Sequence, residues 1–160
     1  MNLLENLRYD PAAGHFVWTE KRGPRAAGSI AGGVSGNGYW QVRIGGRLYY
    51  AHRLAWLAVH GEFPNGELDH INGDPLDNRI ENLRVATRAQ NQRNTRGHID
   101  SASRLKGAYY DKRKRRWYSC LRVDGRNRFL GYHQSPSEAH AAHAAASLRE
   151  FGSFARIEKE

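Results

Sequence analysis

The sequence has very few of the residues from which disulfides, cysteine-based metal sites and membrane spans are built. Cys120 is the single cysteine, which excludes an intramolecular disulfide and a zinc site made of cysteines. No run of 18 apolar residues occurs, so we expect no membrane span. The first ten residues include Glu5 and lack an apolar core, so we also expect no signal peptide. These absences favour a cytoplasmic protein.

Apolar residues are scarce as well, whereas positive charge is abundant. Hydrophobic residues make up 39% of the 160 positions and the mean hydropathy is -0.78, so any core must be small. A chain of this length forms one domain or two small ones. The formal net charge of +9 and the sequence pI near 10.0 predict a polyanionic partner.

The positive charge is concentrated in the second part of the chain. Residues 1–97 carry 12 basic and 9 acidic side chains, whereas residues 98–160 carry 13 and 7. Between Arg104 and Arg128 there are 10 basic residues against 2 acidic ones. Such a surface could serve solubility or attract acidic lipids, but the aromatic residues interleaved with the charges favour nucleic acid.

Short strands and one short helix are predicted ahead of Gly61. Alternation predicts strands at residues 15–18, 39–44 and 47–50, and the two glycines between the last two strands are typical of a hairpin turn. The earlier glycines lack the flanking strand and helix of a phosphate-binding loop, so we interpret them as turn residues. Residues 51–60 predict a helix that ends at Gly61.

Residues 67–94 (ELDHINGDPLDNRIENLRVATRAQNQRN) contain the residue types that metal-assisted phosphodiester cleavage requires. Asp69 and His70 end a predicted strand, Asn82 follows twelve positions after His70, and Asn91 lies nine further on in a predicted helix. A carboxylate and an amide can hold a hard divalent cation through oxygen, and an imidazole can take a proton from water near neutral pH. Taken alone, each of these residues also has a purely structural interpretation.

The same segment predicts a β-hairpin followed by a helix. Strands are expected at residues 67–71 and 83–85. A helix is expected from Arg88 to about Thr95, with Thr87 as its N-cap.

This order and spacing, together with Ala-His-Arg-Leu at residues 51–54, resemble the HNH nuclease family, whose fold is called ββα-metal, and particularly its homing-type branch of phages and introns. The resemblance covers roughly residues 50–95. It implies an α+β nuclease domain that cleaves DNA with one divalent metal ion, either Mg²⁺ or Mn²⁺.

The resemblance also implies a role for each residue of the motif. Asp69 and Asn91 are the implied metal ligands, and His70 is the implied general base. Asn82 is predicted as a catalytic-site residue, and we interpret its role as structural: it ties the loop to the strand so that His70 is oriented. His52 is either an active-site neighbour or a core histidine. Asp69 and His70 point to opposite faces of a regular strand, so the resemblance implies that the strand end straddles the site.

The second part of the chain predicts three strands and a helix after a polar linker. Apolar and more polar residues alternate over residues 117–123, which predicts a strand with one core face. An Asp-Gly turn at 124–125 leads into a third predicted strand at 127–131. A Ser-Pro-Ser-Glu capping box at 135–138 predicts an alanine-rich helix that stops at Gly152.

The pattern from residue 106 to 155 resembles the ethylene-response-factor (Apetala-two) DNA-binding domain, whose sheet enters the major groove. The resemblance implies that Arg122 reads a base, because a guanidinium can contact O6 and N7 of guanine together. It implies that residues 112–116 grip phosphates. The sequence departs from the plant pattern where Tyr109, Asp111 and Cys120 replace guanine-reading arginines. The implied DNA-binding residues are Tyr109, Lys112, Arg113, Lys114, Arg115, Arg116, Arg122, Asn127, Arg128 and Phe129, and Asp111 and Cys120 share the groove-facing side.

Together these patterns predict an α+β protein with a nuclease domain at residues 1–97, a linker at 98–103 and a DNA-binding domain at 104–160 with a three-stranded antiparallel sheet and one packed helix. The expected function is metal-dependent, strand-nicking cleavage of double-stranded DNA by a monomer, inside a phage-infected or bacterial cell. The alternatives are a DNA-binding regulator whose nuclease half is degenerate and an RNA-directed enzyme.

Overall fold

The computed structural model describes residues 3–93 and 103–155, without the side chains of Gln92 and Arg93. The chain divides into two compact units, residues 1–91 and 92–160. Of the predicted linker at 98–103, all but Ser103 lies outside the described residues. Within the described ranges, no helix is long and apolar enough to cross a membrane.

The first unit consists of short antiparallel strands and two helices. Its strands form a two-stranded hairpin, a three-stranded sheet and a second hairpin. The elements are β1 (Leu7–Asp10), β2 (His15–Trp18), β3 (Gly33–Val34), β4 (Trp40–Ile44), β5 (Arg47–Tyr50), α1 (Ala51–His60), β6 (Glu67–His70), a 3₁₀ turn (Ile80–Asn82), β7 (Leu83–Ala86) and α2 (Arg88–Arg93). β1 pairs with β2, β4 pairs with β3 and β5, and β6 pairs with β7.

Helix α1 lies against a small core, and its bounds match the predicted ones. Leu54 is fully buried and contacts a cluster that includes Phe16 and Val42. The helix ends because Gly61 adopts a left-handed φ of 79°, and its N–H donates to the Leu57 carbonyl at 2.9 Å. The core thus fixes the position of α1, and with it His52 near the start of the helix.

Helix α2 begins at a reciprocal cap. The N–H of Gln90 donates to Oγ1 of Thr87 at 3.3 Å, and the N–H of Thr87 donates to Oε1 of Gln90 at 2.8 Å. The predicted N-cap is therefore confirmed, whereas the predicted helix end near Thr95 lies outside the described residues. β6 ends at His70, one residue before the predicted end, because the N–H of Gly73 turns back onto the His70 carbonyl.

The second unit is a three-stranded antiparallel sheet with one packed helix, as predicted. Its elements are β8 (Ala108–Asp111), β9 (Arg116–Val123), β10 (Arg126–His133), α3 (Pro136–Phe151) and a 3₁₀ turn (Gly152–Phe154), and the strand order is β10-β9-β8. α3 packs on all three strands and covers Ala108, Ser119 and Leu121. Oγ of Ser135 accepts from the N–H of Glu138 at 3.1 Å, which confirms the predicted cap.

The approach of α3 to the start of β8 requires a glycine. Gly107 has a φ of +76°, and a Cβ added there would lie 2.1 Å from the ring of His143. Nδ1 of His140 donates to the carbonyl of Lys106 at 2.8 Å. The two histidines thereby hold residues 106 and 107 against the helix, and burial lowers the pKa of His143 to about 4.

Candidate active site and nucleic-acid interface

Two faces of the β6–β7 hairpin carry the residues of the motif. The antiparallel pairing sets Asp69 opposite Arg84 and His70 opposite Leu83. Directly paired residues share a face, and neighbours along a strand alternate. Asp69 and Arg84 therefore lie on one face of the hairpin and His70 on the other.

Asp69 forms a buried ion pair on its face of the hairpin. Its Oδ2 accepts hydrogen bonds from Nε of Arg84 at 2.8 Å and from Nη2 at 2.6 Å. The side chain of Asp69 is only 4% exposed and that of Arg84 is 15% exposed, so the pair is shielded from water.

Asn91 fastens α2 to the same face. Its Nδ2 donates to Oε2 of Glu67 at 2.9 Å, and Glu67 lies two positions before Asp69 on β6. This face consequently carries two carboxylates from the strand and one amide from the helix.

The amide of Asn78 contacts the ring of His70. Nε2 of His70 lies 3.2 Å from Oδ1 of Asn78, and Nδ2 of Asn78 donates to the Leu76 carbonyl at 3.0 Å. The second bond determines which end of the amide faces the ring, so His70 donates through Nε2–H and carries its lone pair on Nδ1. Asn78 is 2% exposed, which keeps this bond out of water.

His52 lies edge-on to His70 inside an aromatic enclosure. The two ring centroids are 5.1 Å apart at an angle of 83°, and Tyr39 lies 5.6 Å from His52 and 6.1 Å from His70. His52 is 8% exposed, and its Nδ1 is buried without a hydrogen-bond partner. His52 is thus both buried and adjacent to His70.

The enclosure lowers the pKa of both histidines. Burial is the main cause of the lowered pKa of His70, and the hydrogen bond to Asn78 and the charge of Asp69 oppose it. Burial, reinforced by the neighbouring His70 and Arg53, lowers the pKa of His52 to about 3. Both rings are consequently neutral near pH 7.

Asn82 closes the loop between β6 and β7. Its Oδ1 accepts from the N–H of Asn72 at 3.0 Å, and its Nδ2 donates to Oδ1 of Asn72 at 3.1 Å and to the Asp77 carbonyl at 2.8 Å. Asn82 therefore ties the loop to the start of β7. The hydrogen bond that orients His70 comes from Asn78.

The β1–β2 hairpin supports this loop from outside the motif. The hydroxyl of Tyr9 donates to the carbonyl of Asn78 at 2.8 Å. Gly14 approaches so closely that an added Cβ would lie 2.6 Å from the backbone nitrogen of Arg79. Arg79 binds Asp77 through two parallel hydrogen bonds of 2.8 and 2.7 Å, which lower the pKa of Asp77 to about 2.

The oxygen donors beside Asp69 fit a hard divalent cation by their chemistry. Carboxylate and amide oxygens are the ligands that Mg²⁺ and Mn²⁺ prefer, and Glu67, Asp69 and Asn91 carry them on one face. Arg84 competes for Asp69 because a guanidinium and a cation seek the same oxygen. Among the described residues, no group of three or more His, Cys, Asp and Glu side chains could hold a metal ion, so a three-ligand site needs the amide.

Sequence reasoning missed Glu67, Asn78 and Arg84 as residues of this site. Glu67 could have been recognised from the sequence, because residues two positions apart in a strand lie on the same face, and Glu67 is two positions before Asp69. Arg84 could be assigned only from the pairing register. Asn78 lies in an irregular loop, where no periodic pattern reports on side-chain direction.

The sheet face opposite α3 in the second unit is largely aromatic. Tyr109 and Tyr132 both pair with Tyr118, Phe129 pairs with Cys120, and Asn127 pairs with Arg122. Paired residues share a face, and the alternate residues Ser119 and Leu121 lie beneath α3. Asp111 pairs with Arg116 on the same face. We call this surface the outer face, and its members are Tyr109, Asp111, Arg116, Tyr118, Cys120, Arg122, Asn127, Phe129 and Tyr132.

The predicted DNA-binding residues are divided by this arrangement. Tyr109, Arg122, Asn127 and Phe129 lie on the outer face, together with two tyrosines that sequence reasoning missed, Tyr118 and Tyr132. Arg128 pairs with Leu121 on the helix side and binds Glu150 at 3.0 Å, so it does not share the outer face.

The remaining basic residues form an exposed tip between β8 and β9. Oδ1 of Asp111 accepts from the N–H groups of Arg113 and Lys114 at 2.9 and 3.1 Å, which shapes the turn. The exposed side chains at this tip are Lys112, Arg113, Lys114, Arg115 and Arg116.

Comparisons with known proteins agree with the hairpin-and-helix motif. Residues 49–93 match the HNH endonuclease family. The chain is also 33% identical over 76 residues to "Protein 3.8" of Escherichia phage T7, and the match covers 47% of this chain and 63% of that relative. The match therefore spans less than two thirds of the length of the phage protein. The name of that protein states no activity. No solved structure matches significantly.

The family match defines an HNH endonuclease domain at residues 49–93, which indicates a nuclease-type function. All but the last two residues of the matched segment belong to the first unit, and β1–β4 precede the segment, so it is not placed at the N-terminus. The comparisons do not support the Apetala-two resemblance of residues 104–160.

Proposed function

We propose that the protein is a metal-dependent DNA endonuclease whose first unit hydrolyses phosphodiester bonds. The observation that carries the proposal is that the HNH match at residues 49–93 coincides with the β6–β7 hairpin and α2, which bear Asp69, His70 and Asn91. The phage relative supports a reaction inside a phage-infected cell.

In this proposal His70 is the general base. Its Nε2–H is held by Asn78, so Nδ1 takes the proton of the attacking water. The lowered pKa keeps the ring in the neutral form that a base requires. His52 and Tyr39 enclose the ring and limit its rotation.

Asp69 and Asn91, with Glu67 beside them, would hold one Mg²⁺ or Mn²⁺. When bound, such a cation neutralises the charge that develops on the phosphate oxygens. Asn82 acts at a distance by keeping the loop that carries Asn78 closed.

The second unit is proposed to bind DNA and to confer site preference. In the Apetala-two mode, Arg122 and Asn127 face the bases of a duplex, and the tip at residues 112–116 contacts phosphates. Removal of residues 98–160 should then abolish site preference and flatten the salt dependence of binding, since each phosphate contact releases about 0.9 counterion. If the remaining fragment, residues 1–97, kept its full preference for a DNA site, this role of the second unit would be contradicted.

Incubation with supercoiled plasmid is the direct test of the endonuclease. Purified protein should cleave in Mg²⁺ or Mn²⁺ and should not cleave in EDTA, and the His70→Ala protein serves as the control for contaminating nucleases. Equal cleavage by both proteins would refute the proposal.

The buried ion pair of Asp69 favours a second candidate function, a DNA-binding regulator with an inactive nuclease domain. Arg84 occupies an oxygen that a metal would need. If the protein is such a regulator, neither Mg²⁺ nor Mn²⁺ would support cleavage, whereas binding of duplex DNA would persist in EDTA. The same plasmid assay, combined with a gel shift, distinguishes the two functions.

A further inference from the structure

We propose that the outer face of the second unit is a stacking platform for unpaired DNA bases, so that the preferred substrate contains a single-stranded stretch. The inference rests on the proposed DNA-directed function only for its choice of DNA over RNA. It assigns the aromatic residues of the sheet a role that neither the HNH match nor the predicted guanine contacts provide.

Four aromatic rings form a continuous cluster on the outer face. Tyr118 lies at the centre, with ring centroids 5.4 Å from Tyr109, 6.3 Å from Tyr132 and 6.4 Å from Phe129. Phe129 and Tyr132 are 5.1 Å apart and tilted edge to face. These distances are those of mutually packed rings.

The cluster is open to solvent although it is apolar. Phe129 is 56% exposed, Tyr109 is 43% exposed and Tyr132 is 36% exposed. An internal core role would bury these rings, and α3 already covers the other face of the sheet. A contiguous exposed aromatic patch of this kind marks a binding surface.

The charges around the cluster select a polyanionic occupant. Lys114 Nζ lies 4.4 Å from the ring centroid of Tyr132, and Arg116 and Arg122 lie on the outer face at either side of the rings. The acid on this face, Asp111, already accepts from the hydroxyl of Tyr132 at 3.1 Å and from two backbone N–H groups. Rings at the centre with cations at the margin match the pattern of proteins that bind single strands.

Unpaired bases suit the four rings better than a closed duplex, whereas Arg122 and Asn127 on the same face can contact the duplex that flanks a single-stranded stretch. In a duplex the base faces are stacked on each other, and only base edges and phosphates are accessible. A ring of Tyr or Phe gains most from a base whose face is free.

Binding of the full-length chain to fluorescent oligonucleotides in EDTA tests the proposal without cleavage. We compare one sequence as a single strand, as a duplex, as a duplex with an internal gap and as single-stranded RNA. Tyr109→Ala and Phe129→Ala should each weaken binding to the single strand and the gapped duplex roughly 5- to 100-fold, with little change for the closed duplex.

Tyr110→Ala is the matched control. Tyr110 follows Tyr109 on β8, is 44% exposed, and pairs with Trp117 on the opposite face. It should leave all four affinities unchanged. Tyr118→Phe keeps the central ring and should retain binding. Thermal unfolding of each variant shows whether the sheet is intact.

The outcomes are separable. Selective weakening by Tyr109→Ala but not Tyr110→Ala supports the platform. Equal effects of the two substitutions, or tighter binding to the closed duplex than to the single strand, would overturn it, and equal or tighter binding of RNA would overturn the choice of DNA. Plasmid cleavage without aromatic-dependent binding defeats only this inference, whereas aromatic-dependent binding without cleavage defeats only the endonuclease.

Discussion

At the scale of single residues, Asp69 and His70 are neighbours with different surroundings, and their substitutions should differ in kind. His70→Ala removes the proposed base and should lower the cleavage rate roughly 10²–10⁴-fold while leaving DNA affinity unchanged. Plasmid cleavage and gel shift under identical conditions measure the two quantities. A parallel loss of binding and cleavage would instead indicate a structural histidine.

Asp69→Ala should reduce stability as well as activity. The substitution leaves the guanidinium of Arg84 poorly exposed and without its carboxylate partner, and breaking a buried ion pair in this way costs about 3–5 kcal/mol. Denaturant unfolding measures that loss, and a titration with Mn²⁺ measures the remaining metal requirement. An unchanged metal titration would argue against Asp69 as a ligand.

At the scale of structural elements, the β1–β2 hairpin lies outside the matched segment and should affect activity by positioning Asn78 beside His70. Burial raises the pKa of Tyr9 to about 12, so its hydroxyl remains a donor to the Asn78 carbonyl. Tyr9→Phe should cost about 1 kcal/mol of stability and lower kcat, with metal affinity unchanged. Tyr49→Phe, which packs on the same core, is the control. Equal kinetics of the two variants would show that the hairpin does not position Asn78.

The close contact between Gly107, just before β8, and His143 on α3 predicts a large loss of stability when a side chain is added at residue 107. Gly107→Ala combines a left-handed backbone with a clash against His143, so it should prevent folding of the second unit or destabilise it severely. Gly125→Ala has nearly the same φ, +78°, but no neighbouring atom within 4 Å, and should cost only about 1–2 kcal/mol. Thermal unfolding compares the two, and similar losses would mean that the clash is relieved elsewhere.

Elements with local end signals were predictable from sequence, and contacts across loops were not. α1 and α3 end where Gly61 and Gly152 stand, because a cap is a property of a few adjacent residues. Asn78 reaches His70 only after the loop closes. The pairing register of β10 shifts between Phe129 and Gly131. Because of this shift, Tyr132 lies on the same face as Phe129 although it is three positions away, whereas regular alternation would place it on the opposite face.

At the scale of the whole molecule, the lowered pKa values of the buried histidines His52, His70 and His143 should make stability fall in acid. The pKa of His52 is lowered from 6.5 to about 3 and that of His143 from 6.5 to about 4. The unfolded chain therefore binds protons first, and stability should decrease as pH falls from 6.5 towards these lowered values. Denaturant midpoints across this range measure the slope, which His143→Gln should reduce. A midpoint independent of pH would contradict the assignment.

The number of sites per chain predicts that the protein nicks one strand. Residues 49–93 supply one Asp-His motif, and hence one scissile phosphate for each bound molecule. Coordinated cuts on antiparallel strands need a second site related by a two-fold axis, which a monomer lacks. Two different units on one chain also suit an asymmetric target better than a palindrome. Supercoiled plasmid should therefore accumulate as open circles, with linear product appearing late. Prompt linear product together with a dimer mass in solution would favour a symmetric double-strand cutter.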